Sequence, residues 1–189
     1  MYAKGMLLAW ANLVARKPQA EWITGNYINF DDKTKKITHV TWGPHTTIPF
    51  LKRNRFPNAV FGSTTFWKRS VYEKVGPIDE SLHYGMDTEY WGRLTMAGYK
   101  PVRFNHYCWL FRDHDASKTV GKDTAESLAR KREEEVYYRT KTGYICRFKL
   151  TNIWYDIWLL WRVLDLSLFV RLYKRKTLLG QSIAPLIPV

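Results

Sequence analysis

Residues 21–42, "EWITGNYINFDDKTKKITHVTW", constrain the fold of this chain more than any other stretch. The first half alternates apolar and polar residues with the period of a strand, and "ITHVTW" resumes that alternation after a gap. Between them, "DDKTKK" carries the short polar residues that favour a turn. The pattern predicts a strand, a turn and a returning strand, and a sheet needs helices or a second sheet to cover it.

Helices are the cover that the sequence offers. Residues 4–16 place Leu7, Leu8, Ala11, Val14 and Ala15 on one helical face, and Pro18 stops that helix. "AVFGSTTFW" predicts a buried strand with Gly62 inside it, where another group approaches the backbone closely. "RSVYEKV" predicts a short helix stopped at Gly76-Pro77. A further helix spans 87–97 and ends at Gly98, strands follow near 101–105 and 107–112, and a solvated helix spans 123–141. On that last helix Glu126–Arg130 and Glu135–Arg139 have the i,i+4 spacing of stabilising pairs. Residues 43–58, with Gly43, Pro44, Pro49 and Pro57, read as an irregular loop whose length suggests a lid or binding segment. With 189 residues, 46% hydrophobic and 25% charged, the chain suits one globular α/β domain with room for an appendage.

Composition narrows the partners. A formal charge of +13 implies an anionic one: nucleic acid, lipid headgroups or a phosphorylated small molecule. Nine Trp, twelve Tyr and nine Phe suggest ligand-facing flat surfaces, a membrane interface, or both. Two cysteines, Cys108 and Cys146, are too few for a disulfide scaffold or a cysteine-built zinc site, which makes a reducing compartment the default. No N-terminal apolar run resembles a secretory signal.

Residues 143–189 differ from the rest. "LTNIWYDIWLLWRVLDLSLFVRLYKRK" is rich in Trp and Leu, yet Asp156, Arg162, Asp165 and Arg171 interrupt it. Its uncharged runs fall far short of the roughly 20 apolar residues that span a bilayer. The pattern fits a basic amphipathic helix lying in a membrane interface and ending in Lys174-Arg175-Lys176. A helix packed on the protein's own core, or on a partner, is the competing reading. The chain thus divides into a domain over 1–142 and a helical tail over 143–189.

The chemistry centres on "YGMDTEYWGRLTMAG", residues 84–98. Asp87 suits the helix N-cap, and Glu89 gains from the positive end of the helix dipole. A carboxylate held at a helix start also suits a general base, although the dipole is expected to keep its pKa low. Taken alone, the stretch leaves cap and base both open.

The surrounding order points further. A strand and helix "GSTTFWKRSVYEKVG" precede the turn "GPIDESL"; "MDTEYWGRL" comes next, then the strand "GYKPVRF" and finally "FRDHDASKT". This order resembles the C-terminal half of an inverting family 2 glycosyltransferase with the GT-A fold, over roughly residues 4–140. Pro77 stands where the family's turn carries a second Gly. The resemblance implies a partial GT-A domain, Rossmann-like with a mixed sheet, whose nucleotide-binding half and metal-binding Asp-x-Asp would precede residue 1. The complete enzyme would move a sugar from a nucleotide-sugar donor to a hydroxyl on a glycan, lipid-linked sugar or protein. It would use Mn²⁺ or Mg²⁺, and a separate chain is one possible source of the missing half.

By position in that motif set, Asp87 is the catalytic base, with Glu89 supporting it by orienting Arg93 or a nearby loop. Gly62, Ser63 and Arg112 fall where the family contacts the donor diphosphate, and Arg112 has a surface pairing with Asp113 or Asp115 as its alternative. His114 falls where a relative can ligate the metal, and the alternative is a surface histidine. Trp67 and Trp91 are candidates for an acceptor platform, or for core packing. Lys52, Arg53 and Arg55 either fold over a diphosphate or form a solvated segment. The resemblance also implies a cytoplasmic enzyme, peripheral at the cytoplasmic face of a membrane.

Two rivals come from other classes. A non-catalytic, membrane-associated remnant would keep this fold without a donor site. A basic single-strand-binding protein would use the charge and aromatics, but the aromatics fall in periodic, core-like positions and no nucleic-acid motif is present, so no nucleic acid is expected.

Overall fold

A computed structural model of the chain describes residues 1–41, 62–114, 124–142, 160, 164 and 166–188. Among them lie five helices and four strands: α1 (Met6–Arg16), β1 (Trp22–Asp31), β2 (Ile37–Thr41), β3 (Thr65–Trp67), α2 (Arg69–Val75), α3 (Met86–Met96), β4 (Pro101–Asp113), α4 (Ala125–Lys141) and α5 (Ser167–Leu178). The loop carrying Lys52, Arg53 and Arg55 lies outside the described residues.

The expected hairpin forms. β1 and β2 pair antiparallel, from Tyr27↔Thr41 to Phe30↔Ile37. Asp31 closes the turn by accepting from both the amide and the hydroxyl of Thr34 at 2.7 Å, and Lys35 takes the left-handed conformation with φ 55°. Asp31 and Asp32 are therefore turn residues.

β1 is the centre of the sheet. β4 runs parallel to it along its full length, while β3 pairs antiparallel with Trp22–Thr24 and β2 takes over further along. The sheet is mixed, in an α/β fold. The two strands expected at 101–105 and 107–112 are one strand, bulged where the register steps from Thr24↔Arg103 to Asn26↔Tyr107 and on to Tyr27↔Trp109. A bulge inserts residues without ending the ladder, and a pattern read as an interruption can therefore be a single element. Gly25 lies at this bulge because a Cβ there would run into Sγ of Cys108, whose thiol burial pushes up to about 12. Of the predicted strand at 59–67 only 62–67 is described: Gly62–Thr64 is a 3-10 turn, and the strand is confined to 65–67.

Consecutive β1 residues feed opposite faces. Trp22 packs with Val71, Tyr90, Trp91, Leu94 and Tyr99 beneath α2 and α3. Ile23 packs with Met6, Leu13, Ala20, Phe104 and Cys108 beneath α1. Each such large apolar side chain contributes about 1.5–3 kcal/mol when fully buried. The buried face of α1 is Met6 and Leu13, with Trp10 and Val14 beside them, whereas Leu7 and Leu8 are exposed. A face one position away has nearly the same apolar count, so periodicity alone chose wrongly between them.

α4 begins with a reciprocal cap: Thr124 Oγ1 accepts from Ser127 N at 3.1 Å, and Ser127 Oγ from Thr124 N at 3.0 Å. Glu135 and Arg139 pair as expected, while Arg130 reaches forward to Glu134 at 3.1 Å where Glu126 was the expected partner.

The described C-terminal residues meet the hairpin. Ile37 N donates to Gln181 O, Gly180 N to Ile37 O and Ile183 N to Lys35 O, each at 2.9 Å. Ile183 is fully buried against Ile28, Phe30, Ile37 and Leu110. Among the described residues no helix is long and apolar enough to cross a membrane.

Candidate functional site

Asp87 is the second residue of α3, and Gly85 occupies the cap position with no side-chain cap of the segment's own. The expectation that Asp87 caps the helix is therefore corrected. Its Oδ1 instead accepts from the amide of the next residue, Thr88, at 2.7 Å and from the Thr88 hydroxyl at 3.4 Å. The other oxygen faces Gly62: a Cβ built on Gly62 would stand 3.1 Å from Oδ2. The close approach expected at Gly62 is to this carboxylate, and Ser63 follows in the same 3-10 turn.

The electrostatics of Asp87 also differ from expectation. Burial pushes its pKa up, and the hydrogen bonds from Thr88 offset only part of that rise. Loss of water around the carboxylate is the dominant effect.

Glu89 is fully buried and accepts the Arg93 fork, Nε to Oε1 at 2.7 Å and Nη2 to Oε2 at 2.9 Å. Arg93 also donates to Val75 O at 2.8 Å and Pro77 O at 2.7 Å, which ties the end of α2 and the Gly76-Pro77 turn to α3. Lys141 of α4 stands 3.4 Å from Glu89 and 2.6 Å from Asp79. The Lys141 ammonium, with Ser81 and Tyr137, holds the Asp79 carboxyl well below the usual carboxylate range. These ion pairs lock α2, the "GPIDESL" turn, α3 and α4 into one support beneath Asp87.

A cavity of about 430 Å³ opens between α3 and α4, lined by His83, Tyr84, Thr88, Lys131 and Tyr138 among others. The charge of Asp87 is felt at the Tyr138 hydroxyl, whose pKa is raised chiefly by burial. The base candidate and the cavity are thus neighbours.

Not every predicted site residue joins this group. Trp91 is 2% exposed, with its ring 5.8 Å from Trp22 and 5.4 Å from Trp67, and offers no face for a ligand. Trp67 is half-buried against the same cluster. An aromatic beside a catalytic motif has the same sequence signature whether it points to core or cleft, and here the core takes Trp91.

Arg112 and His114 lie at the hairpin end of β1. Arg112 pairs with Phe30 in the parallel ladder and reaches Asp32 at 3.8 Å, and His114 acts on that same Asp32. Thr64, two residues from Gly62, donates to Gly25 O. Parallel pairing carries "FRDH" along β1 to the hairpin turn. Among the described residues no group of three or more His, Cys, Asp or Glu could hold a metal ion.

Glu134, Tyr138 and Lys141 were missed by sequence reasoning. They lie on a helix whose surface pattern reads as solvated, and nothing local marks the face that meets α3. The chain matches no protein-family model and no curated protein.

Proposed function

We propose that the chain is the acceptor-side, catalytic-base part of an inverting, family 2-like glycosyltransferase with a partial GT-A domain. One observation carries the reading: the Asp87 carboxylate is half-buried at the first turn of α3, with its pKa raised by burial and one oxygen facing Gly62. A carboxylate kept for capping would have a lowered pKa; a general base gains from a raised one. In the reaction an acceptor hydroxyl passes its proton to Asp87 while its oxygen bonds to the anomeric carbon. The bond from that carbon to the diphosphate breaks, the electron pair leaves with the phosphate, and configuration inverts.

The donor is a nucleotide-sugar and the acceptor a hydroxyl of a glycan, lipid-linked sugar or protein, with the donor-binding half supplied from outside these 189 residues. Such an enzyme takes a divalent metal, Mn²⁺ or Mg²⁺, on its donor side. The described residues around Asp87 assemble no ligand set for it, and the step above is that of the base alone.

The reading extends to the cytoplasmic face of a membrane. Phe169, Val170 and Tyr173 share a face of α5 and are all more than half exposed, as is Leu166 just before it, while Lys174 and Lys176 are exposed near its end. That arrangement suits an anionic lipid surface.

The decisive test is Asp87→Asn in the protein joined by its donor-binding half, assayed for transfer from a panel of nucleotide-sugars to lipid-linked glycan acceptors. Transfer is expected to be abolished with the fold intact; near-normal turnover would sink the assignment.

A further inference from the structure

The start of α3 is held from another helix. Glu134 of α4 accepts from three successive amides, His83 N at 2.9 Å, Tyr84 N at 2.7 Å and Gly85 N at 2.9 Å. Successive amides turned toward one point form a concave anion cradle, and hydrogen bonds to a charged acceptor are about twice as strong as neutral ones. Arg130 closes the far side of the carboxylate at 3.1 Å, and Glu134 is 7% exposed. Burial pushes its pKa up, but the three amides and Arg130 outweigh this and hold it below the ordinary value. The fit is close: a Cβ on Gly85 would stand 3.0 Å from the Tyr138 ring.

We propose that Glu134 is a positioning residue of the transfer site, holding 83–85 so that α3 begins at a set point and Asp87 is left out of the cap position. The proposal rests on the reading of Asp87 as base. Asp87 lies two residues beyond Gly85, so any shift of the held loop moves the first turn of α3, and the carboxylate with it. Substrate-positioning errors of about 1 Å cost on the order of a hundredfold in rate, and a smaller shift costs correspondingly less. Glu134 takes the amides that lead into α3, while Asp87 accepts from Thr88 N with Oδ1 alone and keeps Oδ2 turned toward Gly62.

The test uses the full chain with Glu134→Gln and Glu134→Ala, joined by the donor-binding half for kinetics. Glu134→Gln keeps an acceptor oxygen in place and guards against loss of the fold. We expect amide exchange at 83–85 to speed up about tenfold, the Asp87 carboxyl ¹³C signal to shift, and kcat to fall about tenfold with KM unchanged. The alanine variant is expected to exceed the glutamine one in each readout. Faster exchange with an unmoved Asp87 signal and wild-type kcat would reduce Glu134 to a structural cap and overturn the proposal. Normal transfer by Asp87→Asn would overturn the base reading itself, whatever the Glu134 variants do.

Discussion

Gly62 lies against Asp87: a Cβ on Gly62 would stand 3.1 Å from Oδ2, tighter than an ordinary contact, and 3.6 Å from the Asp87 Cβ. Gly62→Ala must therefore push the carboxylate by a few tenths of an ångström. The obstacle is a side-chain tip, and the fold is expected to survive with Tm nearly unchanged. Transfer is expected to fall about tenfold, since small displacements of a reacting group are costly. Steady-state kinetics and a melting curve on the same sample check this, and unchanged turnover would count against Asp87 acting from this position.

Burial raises the pKa of Asp87 in the folded state above the ~3.9 of an unfolded aspartate. The folded state then binds the proton more tightly, and stability is lost as pH rises between the two values. At neutral pH the ionised carboxylate costs stability, and below about pH 4 both states are protonated and the cost disappears. Asp87→Asn is thus expected to melt higher than the native chain at pH 7, with the difference vanishing in acid. Melting curves across that range decide the point: a lower Tm for the variant at pH 7 would identify Asp87 as a stabilising cap.

The Glu89–Arg93 pair is a fully buried carboxylate gripped by a guanidinium whose side chain is 20% exposed. Removing one partner of such a pair leaves a buried charge, and Arg93→Ala is expected to cost about 3 kcal/mol in urea unfolding. Lys141 at 3.4 Å offsets part of the loss. Arg93→Lys should recover only a fraction, because an ammonium cannot reach Glu89, Val75 O and Pro77 O together. A loss below about 1 kcal/mol would show that the pair does not organise this support.

Membrane contact is best probed by point changes, because Ile183 and its neighbours belong to the core and deletion of the C-terminal residues would damage the sheet. Phe169→Glu with Val170→Glu is expected to weaken flotation with anionic vesicles by about tenfold or more. High salt should weaken the native chain as well, by screening Lys174 and Lys176. Flotation that is unaffected by the double change would rule out this face of α5.

The strand periods and turn chemistry around "DDKTKK" were sufficient for the hairpin, because alternation and the Asp31 turn are local. "RSVYEKV" with Gly76, and the span of α4 to within two residues, were legible for the same reason: each depends on neighbours within about four residues. The sequence also singled out Asp87 and Gly62 separately, one as an acid at a helix start and the other as a glycine inside a strand pattern. Only the tertiary structure put them against each other. It also decided which turn-by-turn face of α1 is buried, that Trp91 belongs to the core, and that parallel pairing carries Arg112 and His114 to the far end of β1. Glu134 shows the limit most plainly, since a carboxylate on a helix that reads as solvated carries no local sign of the amides it will accept 49 residues earlier. Caps and strand periods are short-range and are written in the residues beside them. Desolvation and cross-helix hydrogen bonds exist only once the packing has brought distant segments together, and the roles of Asp87 and Glu134 depend on that packing.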